Sequence, residues 1–411
     1  MQTFDTSLPV VVLRPDHHGS LCLIRTLGRI GVPVYGVGSQ LRSAGMVSRY
    51  CRDKFIFPDG ASSAQAQVDF LKEVVRKIGS RPLLTCTNDV SSTFIAENSA
   101  VLRESFLFPN ISSDLVQTLT DKKLMYFLAK KLDIPTAETS FPQSRQDVLN
   151  FLEGDAVSFP IMLKGIDGAA LERRGKPKMV IVRTPQELLQ QYDWIEDPAN
   201  PNLMLQEYIP GGDNSVWMFN GYFNANSDCL FGIAGQKLRQ HPVYTGATSL
   251  GICLRNEVVE ETTKRLMKSV GYRGVLDIGY RYDERDGKYK VLDINPRVGA
   301  TFRLFLDQNG MDAVRAMYLD LTGQAVSVSP PRVGRKWVVE NGDIISFHDY
   351  HRDGKLTFFQ WIRSFKGVQE AAWFASDDLA PFLLMLRGLA SRFLLWLRAK
   401  LSLRARAGPA A

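Results

Sequence analysis

The chain opens with an apolar, β-branched run at Val10–Leu13, a polar turn ending in Gly19, a helical period over 20–30 closed by Gly31, and a second strand at 34–37. Strand, helix and parallel strand in that order predict a βαβ start to an α/β sheet. The alternation continues with a helix over Ala64–Ile78, a strand at 82–86, and Asn88-Asp89 at its carboxyl end, where open α/β sheets bind ligands. Gly28, Gly31, Gly36 and Gly38 do not make a G-x-G-x-x-G, so a dinucleotide fingerprint has little support.

After residue 118 the pattern changes. Helices are predicted over 124–132, 146–152, 185–192 and 257–270, and strands at 160–164, 178–182, Leu203–Glu207, 215–223 and 229–237. A Gly- and charge-rich loop is expected at 165–177, and a turn at 210–213. Strands at 336–340 and 344–348 and a helix near 358–365 follow. The stretch 379–406 reads as a basic helix rich in Leu, Phe and Trp. The organisation expected is an N-terminal parallel α/β domain over 1–118 and a two-lobed α+β domain over 119–325. Its first lobe would cover 119–210 and its second 211–325. A C-terminal extension with the basic helix would occupy 326–411.

The most informative segment is a hairpin. Strand 274–278 carries Asp277, the polar turn 283–288 follows, and strand 289–294 delivers Asp293 and, two residues on, Asn295. Side chains at i and i+2 of a strand share a face. If the strands pair, Asp277 lies across from them. Two carboxylates and an amide oxygen, with Arg297 beyond, suit a hard cation such as Mg²⁺ carrying nucleotide phosphates.

At 411 residues the chain can bury several cores, and its 45% hydrophobic and 23% charged content is ordinary for a globular protein. The net charge of +7 is concentrated at one end. After Asp378 there is no acidic residue, but Arg387, Arg392, Arg398, Lys400, Arg404 and Arg406 are there. Without them the body is near neutral, so no nucleic-acid surface is implied. Each buried arginine costs roughly 2.5–3.5 kcal/mol at a bilayer centre, which argues against a membrane span. The helix 379–406 suits an anionic membrane surface, or packing on the domain or on a partner. Five scattered cysteines without C-x-x-C spacing, and a start lacking a signal-peptide pattern, suit a reducing cytoplasm.

Taken in order, Asp121-Lys122, Lys164 with its glycine loop, Gln206-Glu207-Tyr208-Ile209, Lys237-x-Arg239, Asp277 and Asp293-x-Asn295-x-Arg297 resemble the ATP-grasp superfamily over roughly 119–320. Arg25-Thr-Leu-Gly28, Gly31-Val-Pro-Val34, Trp361-Ile-Arg-Ser364 and Asp377-Asp378 are similar to the carboxylate–amine ligases related to D-aspartate ligase. The resemblance implies that Lys122 and Lys164 hold ATP phosphates and that Gln206, Glu207, Tyr208 and Ile209 form the adenine-binding linker. It places Asp213 at the ribose, although an acid after Gly-Gly is also an ordinary turn residue. Lys237 and Arg239 would face the transferred phosphoryl group. Asp277, Asp293 and Asn295 would ligate Mg²⁺, with Mn²⁺ an alternative, and Arg297 would steady an acyl phosphate or substrate carboxylate. Aspartate stands at 277 and 293 where the family often has glutamate. Arg173, Arg174, His17 and His18 read as solvated, and His241 is not read as catalytic.

The chemistry implied joins a small-molecule carboxylate to an amine through an acyl phosphate, at the expense of Mg-ATP. Self-association is left open. The competing expectations are an ATP-grasp kinase acting on a small molecule, and a non-catalytic ATP-grasp protein at a membrane surface.

Overall fold

The computed structural model describes residues 4–58, 63–154 and 158–406, with the side chains of 213, 393 and 396–406 outside that description. Three sheets organise the chain. The first is parallel, in the order β3-β2-β1-β4, from β1 (Val10–Leu13), β2 (Val34–Gly38), β3 (Cys51–Ile56) and β4 (Leu83–Cys86). The helix after β1 begins at His18, because the His17 ring accepts the Gly19 amide and the Ser20 hydroxyl reaches back to the His17 amide. The strand β3 has no counterpart in the hydrophobic pattern. Its centre is polar and exposed, so no hydrophobic period marks it.

The second sheet, antiparallel, is ordered β5-β8-β6-β7 from β5 (Thr139–Ser140), β6 (Ile161–Gly165), β7 (Met179–Val182) and β8 (Leu203–Glu207). Its inner face packs Ile161, Leu163, Leu203 and Leu205 against Val148 and Leu188 of the two flanking helices. The loop expected at 165–177 contains instead a helix, Gly168–Arg173, started by Asp167, whose carboxylate accepts the Ala169 and Ala170 amides at 2.9 and 3.0 Å.

The third sheet has seven strands: β9 (Val216–Phe223), β10 (Cys229–His241), β11 (Ala247–Cys253), β12 (Gly274–Asp283), β13 (Lys288–Asn295), β14 (Lys336–Val338) and β15 (Val368–Ala371). Their order is β13-β12-β9-β10-β11-β14-β15, antiparallel except for the last pair. Both faces are buried, one against the N-terminal domain and the helix Ala313–Leu321, the other against Glu257–Ser269. A fully buried ring such as Phe219 stabilises this core by roughly 1.5–3 kcal/mol.

The strand expected at 344–348 is helix, Glu340–Arg352. Its buried stripe is Asp343, Ser346 and Tyr350, a helical spacing made largely of polar groups, while Ile344 and Ile345 face out. The apolar pair that suggested a strand therefore marks the wrong face.

The N-terminal domain is clasped by the segment 372–378. Arg25, buried in the first helix, pairs with Asp378 at 2.9 Å and donates to the Ala372, Trp373 and Asp378 carbonyls. Arg29 and the Tyr50 hydroxyl hold Asp377. The long helix Ala380–Arg406 starts just beyond this clasp. Among the described residues no helix is long and apolar enough to cross a membrane.

Candidate functional site

A cavity of about 420 Å³ lies between the second sheet and the third, lined by Lys122, Lys164 and Gln206 on one side and Lys237, Asp277 and Asp293 on the other. Lys122 starts its helix because Asp121 caps it, accepting the Lys123 and Leu124 amides at 2.9 and 2.8 Å. From there its ammonium reaches the Gly165 carbonyl at 2.7 Å. Lys164 lies on β6, diagonal to Gln206 on the same face of β8, and donates to Gln206 Oε1 at 3.2 Å. Gln206 is held in turn by Thr139 Oγ1 at 3.1 Å. Burial pushes the Lys164 ammonium down to about 8, and the neighbouring Lys122 charge adds to that; Asp293 opposes it. Burial also lowers Lys122. Two desolvated ammonium groups that donate to neutral oxygens are poised for an incoming polyanion.

The acidic hairpin pairs in the expected sense. Asp277 stands opposite Asn295, and Gly279 opposite Asp293. Asn295 Nδ2 donates to Asp293 Oδ2 at 3.0 Å, and Arg297 Nη2 to Asn295 Oδ1 at 3.2 Å. Two close approaches depend on glycine. A Cβ at 279 would collide with the Asp293 carboxylate, and one at 299 would sit 2.5 Å from the Asp277 carboxyl carbon. Burial pushes Asp277 up to about 6; Arg297 and Lys237 pull against this, and the Asp293 charge reinforces it. Paired hard-oxygen donors that repel one another fit a small divalent cation, which would neutralise both.

Arg239 is a correction. The β10 ladder slips between Lys237 and Arg239 and again between Arg239 and Gln240, so the two-residue alternation breaks. Arg239 is thereby turned away from the cavity into a buried bidentate pair with Asp343, at 2.8 and 2.9 Å. Its third nitrogen donates to Ser364 Oγ at 2.7 Å, and Trp361 Nε1 donates to the same Asp343. Gln240 lines the cavity in its place. Lys237 remains there, donating to the Gly246 carbonyl at 3.1 Å.

Glu207 lines the cavity but is held by Arg285, by Lys290 at 3.4 Å and by the Glu138 amide at 3.1 Å, so it ties the second sheet to the β12–β13 turn. Tyr208 and Ile209 follow it along the wall, with the Arg281 guanidinium 5.9 Å from the Tyr208 ring centre. The side chain of Asp213, in the turn Asp213–Ser215, lies outside the described residues. Arg297 is gripped by Asp89, the first residue of the helix that follows β4, at 2.5 Å. That contact joins the N-terminal domain to the hairpin, as does Ser92 Oγ donating to the Pro296 carbonyl. His17 faces Thr87 Oγ1 at 3.0 Å, and burial lowers its pKa. Arg173 is exposed, 3.7 Å from Asp167. Asn220 has a single signal in the sequence, an amide inside the apolar run Val216–Phe223.

A small antiparallel lobe and a larger sheet closing on basic and acidic walls, behind a parallel α/β domain, is the ATP-grasp fold. No protein-family model matches the chain. It is 25% identical over 244 residues to D-aspartate ligase of Enterococcus faecium (strain Aus0004), and the match covers 57% of this chain and 57% of that enzyme. Among solved structures, L-amino acid ligase from Bacillus licheniformis superposes with a TM-score of 0.58 at 11% identity, over 80% of this chain and 78% of that one. The biotin carboxylase domain of 2-oxoglutarate carboxylase from Hydrogenobacter thermophilus, in complex with MgADP, ADP and bicarbonate, gives 0.59 at 14%, over 80% and 73%.

Proposed function

We propose that this chain is an ATP-dependent carboxylate–amine ligase that forms an amide through an acyl phosphate. The observation that carries the reading is the pairing of two desolvated lysines with the acidic hairpin across one cavity. The D-aspartate ligase match and the nucleotide-bound neighbour support it.

Lys122 and Lys164 would bind the non-transferred phosphates, their charges strengthened by the low-dielectric wall. Asp277, Asp293 and Asn295 would hold Mg²⁺ or Mn²⁺, which supplies Lewis-acid neutralisation of phosphate charge. In the first step a substrate carboxylate oxygen bonds to the γ-phosphorus and the bond to the bridging oxygen breaks, releasing ADP. In the second step an amine nitrogen bonds to the acyl carbon, the C–O bond to phosphate breaks, and the nitrogen gives up a proton. Lys237 orients the phosphoryl group, and Arg297, released from Asp89, steadies the carboxylate. Positioning and charge compensation carry the rate, with no side-chain nucleophile required.

ADP release screened against pooled carboxylates and amines tests this. The ligase reading requires ADP that appears only when both are present; phosphorylation of a hydroxyl compound instead would replace it with a kinase.

Peripheral membrane contact is proposed for the last helix, because Leu383, Leu386, Leu394 and Leu395 are exposed beside Arg387 and Arg392 with no acidic residue after Asp378. Removing residues 379–411 should abolish binding to anionic vesicles while sparing neutral-vesicle background; equal binding by the shortened protein refutes it.

A further inference from the structure

Asn220 lies at the centre of β9, fully buried, and neither its amide nitrogen nor its amide oxygen completes a hydrogen bond. Its neighbours along the strand, Trp217 to Phe219 and Gly221 to Phe223, are apolar, aromatic or glycine. An unpaired amide there costs stability that an apolar side chain would not. Its placement gives that cost a purpose. Asn220 shares a strand face with Met218, which lines the cavity. In register it stands directly opposite Asp277, and Asp277 stands opposite Asn295. Asn295, Asp277 and Asn220 therefore form one row across β13, β12 and β9, with cross-strand Cβ separations of about 4.5–5.5 Å. Ile233 closes the row on β10.

We propose that Asn220 is a positioning residue for the cation site, donating its Nδ2–H to the inner oxygen of Asp277 so that the outer oxygen turns toward the metal. The inference rests on the ligase reading only in its Mg-nucleotide site, and extends that site by a residue that touches neither metal nor nucleotide. Gly299 approaches the Asp277 carboxylate closely, since a Cβ there would sit 2.5 Å from its carbon. Carboxylate ligands held by such a partner commonly lose about 10- to 100-fold in metal affinity when the partner is removed.

The test uses Mn²⁺ binding in the presence of ADP, read by electron paramagnetic resonance, which needs no substrate and no turnover. Asn220→Leu removes the donor at similar volume, and Asn220→Val does so with a side chain suited to a strand. The expected result is a Mn²⁺ Kd weaker by about tenfold or more, with a Tm equal to or above that of the parent, because an unpaired buried amide is gone. Asn220→Ser, which keeps a donor, should fall between. A purely structural asparagine predicts the reverse: lowered Tm and unchanged Mn²⁺ affinity. Parent-like Mn²⁺ affinity in the folded Leu or Val variant overturns the assignment while leaving the nucleotide site standing. A parent protein that binds no Mn²⁺ with ADP overturns both.

Discussion

Lys164 makes a prediction whose sign is unusual for a phosphate-binding lysine. In the nucleotide-free fold its pKa is pushed down to about 8, from an ordinary value of 10.5, because the ammonium is desolvated and faces Lys122. A bound triphosphate would restore the charged form. Between pH 7, where the free protein is mostly protonated, and pH 9, where about a tenth remains so, binding must first take up a proton. ATP affinity should therefore fall about tenfold, or about 1.4 kcal/mol. Near pH 8 about half a proton should be taken up per ATP, measurable by calorimetry in buffers of different ionisation enthalpy. Stability moves the other way. A lysine whose folded pKa lies below its unfolded value leaves the unfolded chain holding more protons between about 8 and 10.5. Its contribution to the free protein's stability thus rises with pH across that window. Lys164→Arg supplies the control, since a guanidinium stays charged throughout. Flat affinity between pH 7 and 9 in the parent, or a slope retained in full by the arginine variant, would refute the reasoning.

Replacing Asp293 or Asn295 by alanine should abolish metal-dependent ADP release and leave Tm within a few degrees of the parent, since both lie at the cavity wall; metal-dependent turnover at parent level would remove them from the cation site. Arg239→Ala should destabilise by roughly 3–5 kcal/mol, because Asp343 is left buried without its partner. Nucleotide affinity of the folded fraction should not change, and a selective loss of ATP binding at unaltered Tm would return Arg239 to the site. Burial would raise Glu370, yet Arg303 and Arg335 hold it at about 2, below the ordinary glutamate value of 4.5. Its contribution is present above about 4.5 and lost as pH falls toward 2, so Glu370→Gln should be less stable at pH 7 and flatter across that interval; parallel melting curves would contradict this.

Much of the site was legible because its residues follow strand and helix periods. Asp293 and Asn295 share a face as alternation demands, and the polar turn after Asp283 announces the hairpin that brings Asp277 across. Lys122 follows a capping aspartate, and Lys164 ends an apolar run. What escaped depended on departures from period. The slipped register around Arg239 has no local signature, so two residues spaced for one face end on different ones. Ile344-Ile345 suggested a strand where a polar stripe packs a helix inward. Asp377-Asp378 and Trp361 belong to the segments that resemble the ligases, and the structure gives them structural partners: Arg25 and Arg29 for the first pair, Asp343 for the tryptophan. Long-range pairing of that kind leaves no trace in neighbouring residues.

The clasp between Arg25 and Asp378 dictates where this protein can be shortened. Cutting upstream of Asp378 would strand a guanidinium inside the first helix's packing, 3% exposed and without its carboxylate. Such a truncation should behave as a folding defect in the N-terminal domain, although no residue of that domain was touched. The segment around Asp378 is thus a staple for the first helix, and the basic helix beyond it springs from a fixed anchorage instead of a loose tail.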